Sequence, residues 1–557
     1  MARTLLIFPP TASPTYVPLG IALLCAHVER QLGPGLVPLL DLNIWLWERL
    51  AAETAEGCAY LRYLRGQEGD FFDAAEHQCR QEAGRGPARG MAELTAQAQR
   101  FLAGAAAGPG LAAFLEEATR QILATRPDRI GFSLLFHTQL PLALALAYHL
   151  DGQREILWPT AGTGSAAAGE LRLILGGASL SNLEADELLL ACPFIDGLVL
   201  GEGEEALTAL CREATPAVVP GLWQRLPAGD GVVRQRPARP VDLDELPPPD
   251  FRQLPLDRYF SPEPVLPAVS SRGCRWRRCR FCAHNFSFGT YRQKRPERFV
   301  AELLEQQRRH GARHFYLGDQ YIDAADLRRI AEELLRQGAD LRWHVMGRPT
   351  ADFDQPLLDL LAAAGCRWIS WGVETGSQRL LDVARKGTAV AETREVLRRT
   401  ARAGIASLPM MLFGLPGSTD EDLAQTFELL EDVYDGITAM TASAFVLYRD
   451  TPFGRRPEKY GLQATEQEVL LHVGERPVHS RRLHHAELAA DGSPRPPRGA
   501  VEVSLWKQRR RWLGEPGLLD KVCAEHFLLL AGRRPRVAPA GGPELPHPDL
   551  PSLPLAS

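Results

Sequence analysis

Three cysteines lie within nine residues of this 557-residue chain, in the segment Ser271-Arg-Gly-Cys274-Arg-Trp-Arg-Arg-Cys279-Arg-Phe-Cys282. Their spacing is C-x4-C-x2-C, and three thiolates on one short loop can hold a metal centre. A closed zinc site usually has four protein ligands, and no C-x2-C or H-x3-H partner follows at a suitable distance. An iron-sulfur cluster fits better, because three cysteines would leave one iron open to a non-protein ligand. Buried structural cysteines are the less favoured alternative, since five arginines and a glycine surround them and indicate an exposed loop.

Composition sets the broad class of the protein. The chain is 45% hydrophobic and 24% charged, which is typical of an ordinary globular protein of two or three domains. The net charge of -5 excludes a global basic field for nucleic acid. No apolar run reaches the roughly 18 to 20 residues that cross a bilayer, so an integral membrane protein is not expected. Ten cysteines without paired spacing suit a reducing compartment, and we expect a cytoplasmic protein.

The elements that must position the cysteine loop begin with an N-terminal domain, predicted over residues 1–225. Short apolar runs alternate there with segments that could be helical, which predicts a doubly wound, Rossmann-like parallel sheet with a helical insertion at about 45–125. Ligands of such sheets bind beyond the carboxyl ends of the strands. The predicted strands are Thr4–Phe8, Leu36–Asp41, Arg129–Leu135, Leu171–Gly177 and Gly197–Gly201.

A proline-rich stretch, residues 226–262, reads as a linker. Residues 263–465 then repeat strand, loop and helix six times, which is too few units for a closed eight-stranded barrel. We therefore predict a partial (β/α)6 barrel with its site at the carboxyl ends of the strands. Asp323 is expected to cap one helix, and Ser418 with Glu421 to form a capping box before another. The predicted strands are 265–270, 314–317, 342–346, 368–373, 408–413 and 442–447.

The cysteine loop resembles the cluster motif of radical S-adenosylmethionine (SAM) enzymes. Phe281 precedes the third cysteine and Arg272-Gly273 the first, although the loop is one residue longer than the commonest C-x3-C-x2-C. The ordered segments that follow are similar to the second half of the core of those enzymes. They are Gly372-Val-Glu-Thr-Gly-Ser377, Lys386-Gly387, Ala403-Gly-Ile405 and Gly414-Leu-Pro-Gly-Ser-Thr-Asp-Glu-Asp422.

This resemblance implies a [4Fe-4S] cluster on Cys274, Cys279 and Cys282, with SAM bound to the open iron. The strand ends then offer groups for SAM. Asp319 is suited to the ammonium, Arg348 to the carboxylate, and Glu374 with Ser377 to the ribose hydroxyls. The turn that contains Gly414 and Pro416 could meet the adenine. The alternatives are that Arg348 is a solvated loop residue, that Glu374 caps a helix, and that the Gly414–Gly417 segment is a tight turn without a ligand.

The N-terminal domain resembles the cobalamin-binding domain that precedes the core in one class of radical SAM enzymes. The resemblance implies that cobalamin binds along the strand ends, where Ser133, Gly176, Gly177 and Glu202 stand. The D-x-H-x-x-G motif is absent, so no histidine of that motif would ligate cobalt. The matching segments are Pro9-Pro10, Asp41-Leu-Asn43, Ser133-Leu-Leu135, Gly176-Gly177 and Gly201-Glu-Gly-Glu204.

The function that the resemblance implies is reductive cleavage of SAM to a 5'-deoxyadenosyl radical, with electrons from a flavodoxin- or ferredoxin-type donor. An unactivated carbon of an organic substrate would then be methylated through methylcobalamin. A cyclase, a ring-contracting enzyme or a carbon-carbon coupling enzyme is the first alternative. A non-catalytic cobalamin-binding sensor is the second, and no helix-turn-helix or basic DNA-binding domain supports it.

The resemblance fades after about residue 465. Residues 466–532 are predicted to form a mainly helical C-terminal region, with a histidine-rich segment at 479–485 and a basic run at 507–511. Both are interpreted as solvated polar segments. The proline-dense tail, 533–557, is expected to be disordered.

Overall fold

The N-terminal half is a seven-stranded sheet in the order β2-β1-β3-β4-β5-β6-β7. The computed structural model describes residues 1–557 apart from 74–75, 78–79, 81–83, 158–171, 227–230, 288, 490, 513–522 and 534–557. Strands β1 to β5 are parallel, which confirms the predicted doubly wound sheet. Strands β6 and β7 add an antiparallel edge, and β7 lies in the segment assigned to the linker. The strands are β1 Thr4–Phe8, β2 Leu39–Asp41, β3 Arg129–Ser133, β4 Leu173–Gly176, β5 Gly197–Val199, β6 Leu222–Arg225 and β7 Val232–Arg234.

Helices separate these strands, and the predicted helical insertion is present between β2 and β3. A proline at the start of α5 suits a first turn, where the missing N–H has no helical partner. Among the described residues, no helix is both long enough and apolar enough to span a bilayer. The longer helices described in this half are α1 Leu19–Leu32, α2 Leu42–Ala51, α3 Ala55–Leu64, α4 Arg85–Leu102, α5 Pro109–Thr125, α6 Leu140–Asp151, α7 Ala185–Ala191 and α8 Glu204–Cys211.

The second sheet is the predicted partial barrel. Its six strands are all parallel, in the order β15-β14-β13-β12-β11-β8. The strands are β8 Val265–Ala268, β11 His314–Leu317, β12 Arg342–Gly347, β13 Cys366–Glu374, β14 Ala406–Phe413 and β15 Thr441–Ala444, and a short pair, β9 Ser271–Arg272 and β10 Arg292–Gln293, flanks the cysteine loop. The longer helices are α9 Pro296–His310, α10 Ala324–Arg336, α11 Gln355–Ala363, α12 Gln378–Val383, α13 Val390–Arg402 and α14 Asp420–Asp432.

The helix starts follow the local capping chemistry. Asp323 caps α10 as predicted, accepting the Asp326 N–H at 2.9 Å. The capping box of α14 is shifted by one residue from the prediction, to Thr419 with Asp422. Ser418 instead donates its hydroxyl to Glu502, far away in the chain, at 2.9 Å.

The prediction of a mainly helical C-terminal region is wrong, because the region begins with a long antiparallel hairpin. Strand β17, Leu462–Val473, pairs with β18, Arg476–Leu488, and the short strands β16 Leu447–Tyr448 and β19 Pro494–Arg495 flank β18. The histidine-rich segment therefore lies on a strand. His479 contacts Glu187 of α7 at 2.8 Å, so the hairpin is tied to the N-terminal half.

In the described part of the chain after the hairpin, two helices cover the barrel: α15, Gly499–Trp512, and α16, Ala524–Arg533. Helix α15 packs on β14 and β15, and α16 packs on β11, β12 and β13. The rings of Phe527 and Trp368 lie 4.5 Å apart between centroids. The predicted tail lies outside the described residues, except for Arg533 at the end of α16.

The N-cap of α2 gives a pH-dependent prediction. The Asp41 carboxylate accepts the Ile44 N–H at 3.0 Å and the Tyr259 hydroxyl at 2.6 Å. Burial raises the pKa of Asp41 from 3.8 to about 6, despite these hydrogen bonds. The folded chain thus holds this proton more tightly than the unfolded chain does. The stability from this group is complete below pH 3.8 and is lost as the pH rises through about 6.

We therefore expect the free energy of unfolding of the native chain, relative to Asp41→Asn, to fall by about 3 kcal/mol between about pH 4 and pH 7. Urea denaturation of both proteins across this range measures the difference, in which the other titrating groups cancel. Parallel pH profiles for the two proteins would contradict the assignment.

Candidate functional site

The cysteine loop leaves the barrel at the end of β8 and returns through β10, which pairs with β9. Cys279 is buried, and Cys274 and Cys282 are half-buried. Burial, with smaller contributions from the neighbouring Cys279 and Cys274, raises the pKa of the Cys282 thiol to about 11. The three thiols thus lie on one loop and are close enough to influence one another's charge.

The loop is held against the segment that follows α12. The Trp276 indole N–H donates to the Arg385 carbonyl at 2.9 Å, and the Arg280 N–H donates to the Ala384 carbonyl at 2.9 Å. Gly387 lies directly under the indole, where a Cβ would come within 2.1 Å of it. This close approach explains a glycine in the Lys386-Gly387 pair.

Arg348, predicted to bind a carboxylate, also secures this contact. One terminal nitrogen of its guanidinium donates to the Lys386 and Gly387 carbonyls at 2.8 Å each. The guanidinium carbon lies 4.1 Å from the centroid of the Trp276 ring. In this structure, Arg348 therefore positions the cysteine loop.

Glu374 forms a buried ion pair with Lys386, Oε1 to Nζ, at 2.5 Å. Glu374 follows a β-bulge in β13 and has a φ of +69°, which is uncommon for a residue with a side chain. Burial lowers the pKa of Lys386, but the Glu374 carboxylate outweighs burial and the net pKa is raised. A charged ammonium therefore lies beside Cys279, where it opposes the raising of the thiol pKa by burial.

Asp319, predicted to bind an ammonium, is buried and already surrounded by donors. It accepts the N–H groups of Ser270 and Ser271 and both of their hydroxyls, at 2.6 to 3.1 Å. Burial raises the pKa of Asp319, and these hydrogen bonds counteract part of that effect. The carboxyl group thus fastens the start of the cysteine loop to the end of β11.

Ser377, predicted to bind ribose, is the N-cap of α12. Its hydroxyl accepts the Leu380 N–H at 3.4 Å and donates to Asp422 of α14. Hydrogen bonds from Arg379, Ser377 and Thr419 lower the pKa of Asp422 to about 2, against the effect of burial. This arrangement ties the loop after β13 to the helix after β14.

The turn of Gly414 and Pro416 is covered by α15. The Gly414 N–H donates to the Glu502 carboxylate at 2.7 Å, and Pro416 is buried. Gly414 has a φ of +71°, and a Cβ there would come within 2.4 Å of Gly499. Glu374 and Gly414 line one small space of about 10 Å³, roughly the size of a single water. The structure thus brings these two predicted SAM residues together.

A much larger cavity, of about 370 Å³, lies between the two halves of the chain. All four residues predicted to bind cobalamin line it: Ser133, Gly176, Gly177 and Glu202. Its opposite wall comes from the barrel and includes Tyr316, Gln320, Arg272 and Gly273. The carboxyl edge of the N-terminal sheet therefore faces the root of the cysteine loop across one space.

Ion pairs join the two walls. The Arg272 guanidinium contacts Glu202 at 3.1 Å and also contacts Glu204. Arg292, which pairs with Arg272 in the β9–β10 ladder, reaches Glu202 as well. Glu202, predicted to bind a cofactor, thus helps to hold the cysteine loop against the N-terminal half.

The cavity has features that suit a large cofactor that carries amide groups, such as cobalamin. Gly201 has a φ of +93°, and a Cβ there would meet nothing within 4 Å, so the glycine leaves open space. Both amide atoms of Gln320, on the opposite wall, are buried without a hydrogen-bond partner. None of the described residues that line the cavity is a histidine, which matches the missing D-x-H-x-x-G motif.

Comparison with known proteins identifies the barrel. Residues 269–430 match the model of the radical SAM superfamily. The chain contains a radical SAM domain. The anaerobic magnesium-protoporphyrin IX monomethyl ester cyclase of Cereibacter sphaeroides is 31% identical over 262 residues, covering 44% of this chain and 42% of the cyclase. The chain spans about half the length of the curated relatives it matches.

Two solved structures share the fold. One is the cobalamin-dependent SAM radical enzyme OxsB, solved with aqua-cobalamin and SAM bound. It aligns with a TM-score of 0.60 and 15% sequence identity, and the match covers 92% of this chain and 66% of OxsB. The radical SAM methyltransferase TsrM of Kitasatospora setae, with tryptophan and a SAM analogue bound, has a TM-score of 0.54 and 19% identity, covering 84% of this chain and 79% of TsrM. The predicted order of a doubly wound domain and a radical SAM barrel is thereby confirmed.

Sequence reasoning missed three partners in and around the radical SAM domain. Lys386 was noted only as part of a motif, and its pairing with Glu374 depends on how two loops meet. Glu502 lies 88 positions after Gly414, and the sequence around it carries no signal of that contact. Arg272 was noted beside Cys274, but its ion pairs cross from one domain to the other.

Proposed function

We propose that this chain is a cobalamin-dependent radical SAM enzyme that methylates an unactivated carbon of an organic substrate. The observation that carries the proposal is the cavity of about 370 Å³, bounded on one side by the four residues predicted to bind cobalamin and on the other by the root of the cysteine loop. A cofactor in that cavity would lie next to a cluster held by Cys274, Cys279 and Cys282. The radical SAM match and the fold of OxsB support this arrangement.

The chemistry comes from the bound groups: the cluster and SAM would supply a 5'-deoxyadenosyl radical, and methylcobalamin a methyl group. The residues of the chain would bind and position them. The three thiolates would hold iron, and Lys386 would keep a positive charge beside Cys279. Glu374 and the turn of Gly414 and Pro416 are the proposed contacts for SAM. Asp319, Arg348 and Ser377 are assigned to fixing the loops, because Asp319 fastens the start of the cysteine loop, Arg348 secures its contact with the segment after α12, and Ser377 caps α12.

A second candidate is ring formation by the same pair of cofactors. It is favoured by the 31% identity to a protein named as a porphyrin ester cyclase. Methylation is preferred because the sequence match to a protein named as a cytidylyl-2-hydroxyethylphosphonate methyltransferase extends over 55% of this chain, whereas the cyclase match covers 44% of it.

Metal and cofactor analysis tests the proposal. The protein would be purified and reconstituted without oxygen in the presence of hydroxocobalamin, then analysed for iron, cobalt and its visible spectrum. We expect four irons and one cobalt per chain, and loss of the iron in a Cys274→Ala/Cys279→Ala/Cys282→Ala variant that keeps its cobalt. Cys366→Ala is the matched control, because Cys366 is a buried barrel cysteine outside the loop.

Two results would contradict the proposal in different ways. Iron without cobalt in the native protein would contradict the proposed methylation through cobalamin but would leave the proposed radical chemistry standing. Full iron content in the triple variant would show that the cluster, if present, has other ligands. With both cofactors in place, candidate substrates are then tested for methyl transfer from SAM carrying a deuterated methyl group.

A further inference from the structure

Glu502 lies on helix α15, outside residues 269–430 that match the radical SAM model, and it is only 3% exposed. One oxygen of its carboxylate, Oε2, accepts the Gly414 N–H at 2.7 Å. The other oxygen, Oε1, accepts the Ser418 hydroxyl at 2.9 Å and the Arg498 Nε–H at 3.0 Å. One side chain from the C-terminal region therefore holds both ends of the turn that follows β14.

The backbone of this turn is also in close contact with α15. Gly414 has a φ of +71°, and a Cβ added there would lie 2.4 Å from both the nitrogen and the Cα of Gly499, the first residue of α15. Close approach of two backbones explains the glycines at this contact. At the other end of the turn, the Arg379 guanidinium of α12 donates to the Gly417 carbonyl at 2.6 Å. The shape of the turn thus depends on helices that lie far apart in the chain.

The three donors around Glu502 require a carboxylate rather than an amide. The Gly414 N–H meets one oxygen and the Arg498 guanidinium the other, and neither of these groups can accept a hydrogen bond. A glutamine has only one oxygen, so its NH2 group would face one of the two donors. Arg498 also contacts Asp420 in the first turn of α14, which holds the guanidinium beside Glu502. Glu502→Gln therefore keeps the size of the side chain but disrupts the contact.

We propose that Glu502 is a positioning residue for SAM, which holds the turn of Gly414 and Pro416 in the shape that meets the adenosyl group. The inference rests on the proposed function, because it needs that turn to contact SAM. The Glu502 carboxylate also lines the small space that Glu374 and Gly414 share. A binding group is effective when a second layer of hydrogen bonds fixes it before the ligand arrives, and Glu502 provides that layer here.

The test compares two ligands of the reduced cluster in the reconstituted protein. Binding is followed by the change in the electron paramagnetic resonance spectrum when a ligand reaches the open iron. We expect Glu502→Gln to raise the Kd for SAM about tenfold, with the iron content unchanged. Methionine is the second probe, because it carries the amino and carboxylate groups of SAM without the adenosyl group. Its Kd should be the same in the variant and the native protein.

Glu431→Gln is the matched control. Glu431, near the end of α14, forms an ion pair with Arg509 of α15 and so joins the same helix to the barrel away from the turn. This change loosens α15 without touching Gly414, and we expect the Kd for SAM to stay unchanged. If Glu502→Gln fails to fold or to hold iron, Ser418→Ala takes its place, because it removes one hydrogen bond to the same carboxylate and should raise the Kd for SAM by a smaller factor.

Three results would overturn the positioning role while leaving the proposed function intact. The first is equal SAM affinity in the native protein and in the variant tested. The second is an equal loss of SAM affinity in Glu431→Gln, and the third an equal loss of methionine affinity in Glu502→Gln, because either would show general loosening of the fold. A native protein that holds iron but binds neither SAM nor methionine would instead show failure of the proposed function itself.

Discussion

Replacing Lys386 by methionine is expected to destabilise the barrel by about 3–5 kcal/mol, because it leaves the carboxylate of Glu374 buried without its partner. The side chains of Lys386 and Glu374 are 8% and 13% exposed, so little water reaches the charge that remains. Urea denaturation, followed by the fluorescence of the barrel tryptophans, measures the change in the free energy of unfolding.

Two further variants separate the buried charge from other effects. Lys386→Met with Glu374→Gln removes both charges and should recover most of the lost stability, since no unpaired charge is left. Arg313→Met breaks an ion pair whose side chains are 64% and 53% exposed, and it should change stability by less than about 1 kcal/mol. A double variant as unstable as Lys386→Met alone would mean that lost packing of the lysine stem, and not the unpaired carboxylate, causes the destabilisation.

Gly177→Ala is expected to destabilise the N-terminal half by about 3–5 kcal/mol. Gly177 has a φ of +105°, and a Cβ there would lie 2.3 Å from the Leu134 carbonyl oxygen and 2.6 Å from its nitrogen. Both contacts are with backbone, which cannot rotate away. Hydrogen exchange of the amides in β3 and β4 measures the effect as faster local opening.

Gly176→Ala provides the comparison for this prediction. A Cβ at Gly176 would meet its nearest atoms at 3.9 Å, an ordinary contact, and the change should cost less than about 1 kcal/mol. Equal exchange rates in the two variants would show that the backbone near Leu134 gives way easily. Alanine would then be tolerated equally at both glycines, contrary to the contacts that the structure shows at Gly177.

Most of the barrel could be predicted because the four strands β11 to β14 are largely apolar runs that end at or just before a glycine or a charged residue. The predicted strand at 314–317 and the observed β11 coincide, and the other five differ by only a few residues. The hairpin of β17 and β18 was missed because its sequence is rich in Glu, Gln, Arg and His and carries little apolar alternation. Leu471 and Val478 are buried against the N-terminal half, and this tertiary contact outweighs the local preference.

The sequence likewise indicates some residues of the candidate site and not others. The three cysteines are predicted to hold a cluster from spacing alone, because all three lie on one loop, and this stays a prediction. The assignment of Asp319 to an ammonium treated it as a free carboxylate, but two serines 48 and 49 residues earlier in the chain surround it. Which polar groups are already engaged depends on how separate loops meet, and local sequence does not carry that information.

Helices α15 and α16 cover the barrel from a part of the chain that is made after all six barrel strands. At about 5–20 residues per second, synthesis of the segment 445–533 takes on the order of 10 s. For that interval the sheet has one uncovered apolar face, while the cysteine loop has already been made. Synthesis of the cysteine loop and closure of the barrel are thus separate events, and the loop is accessible to solvent before the last helices cover the sheet.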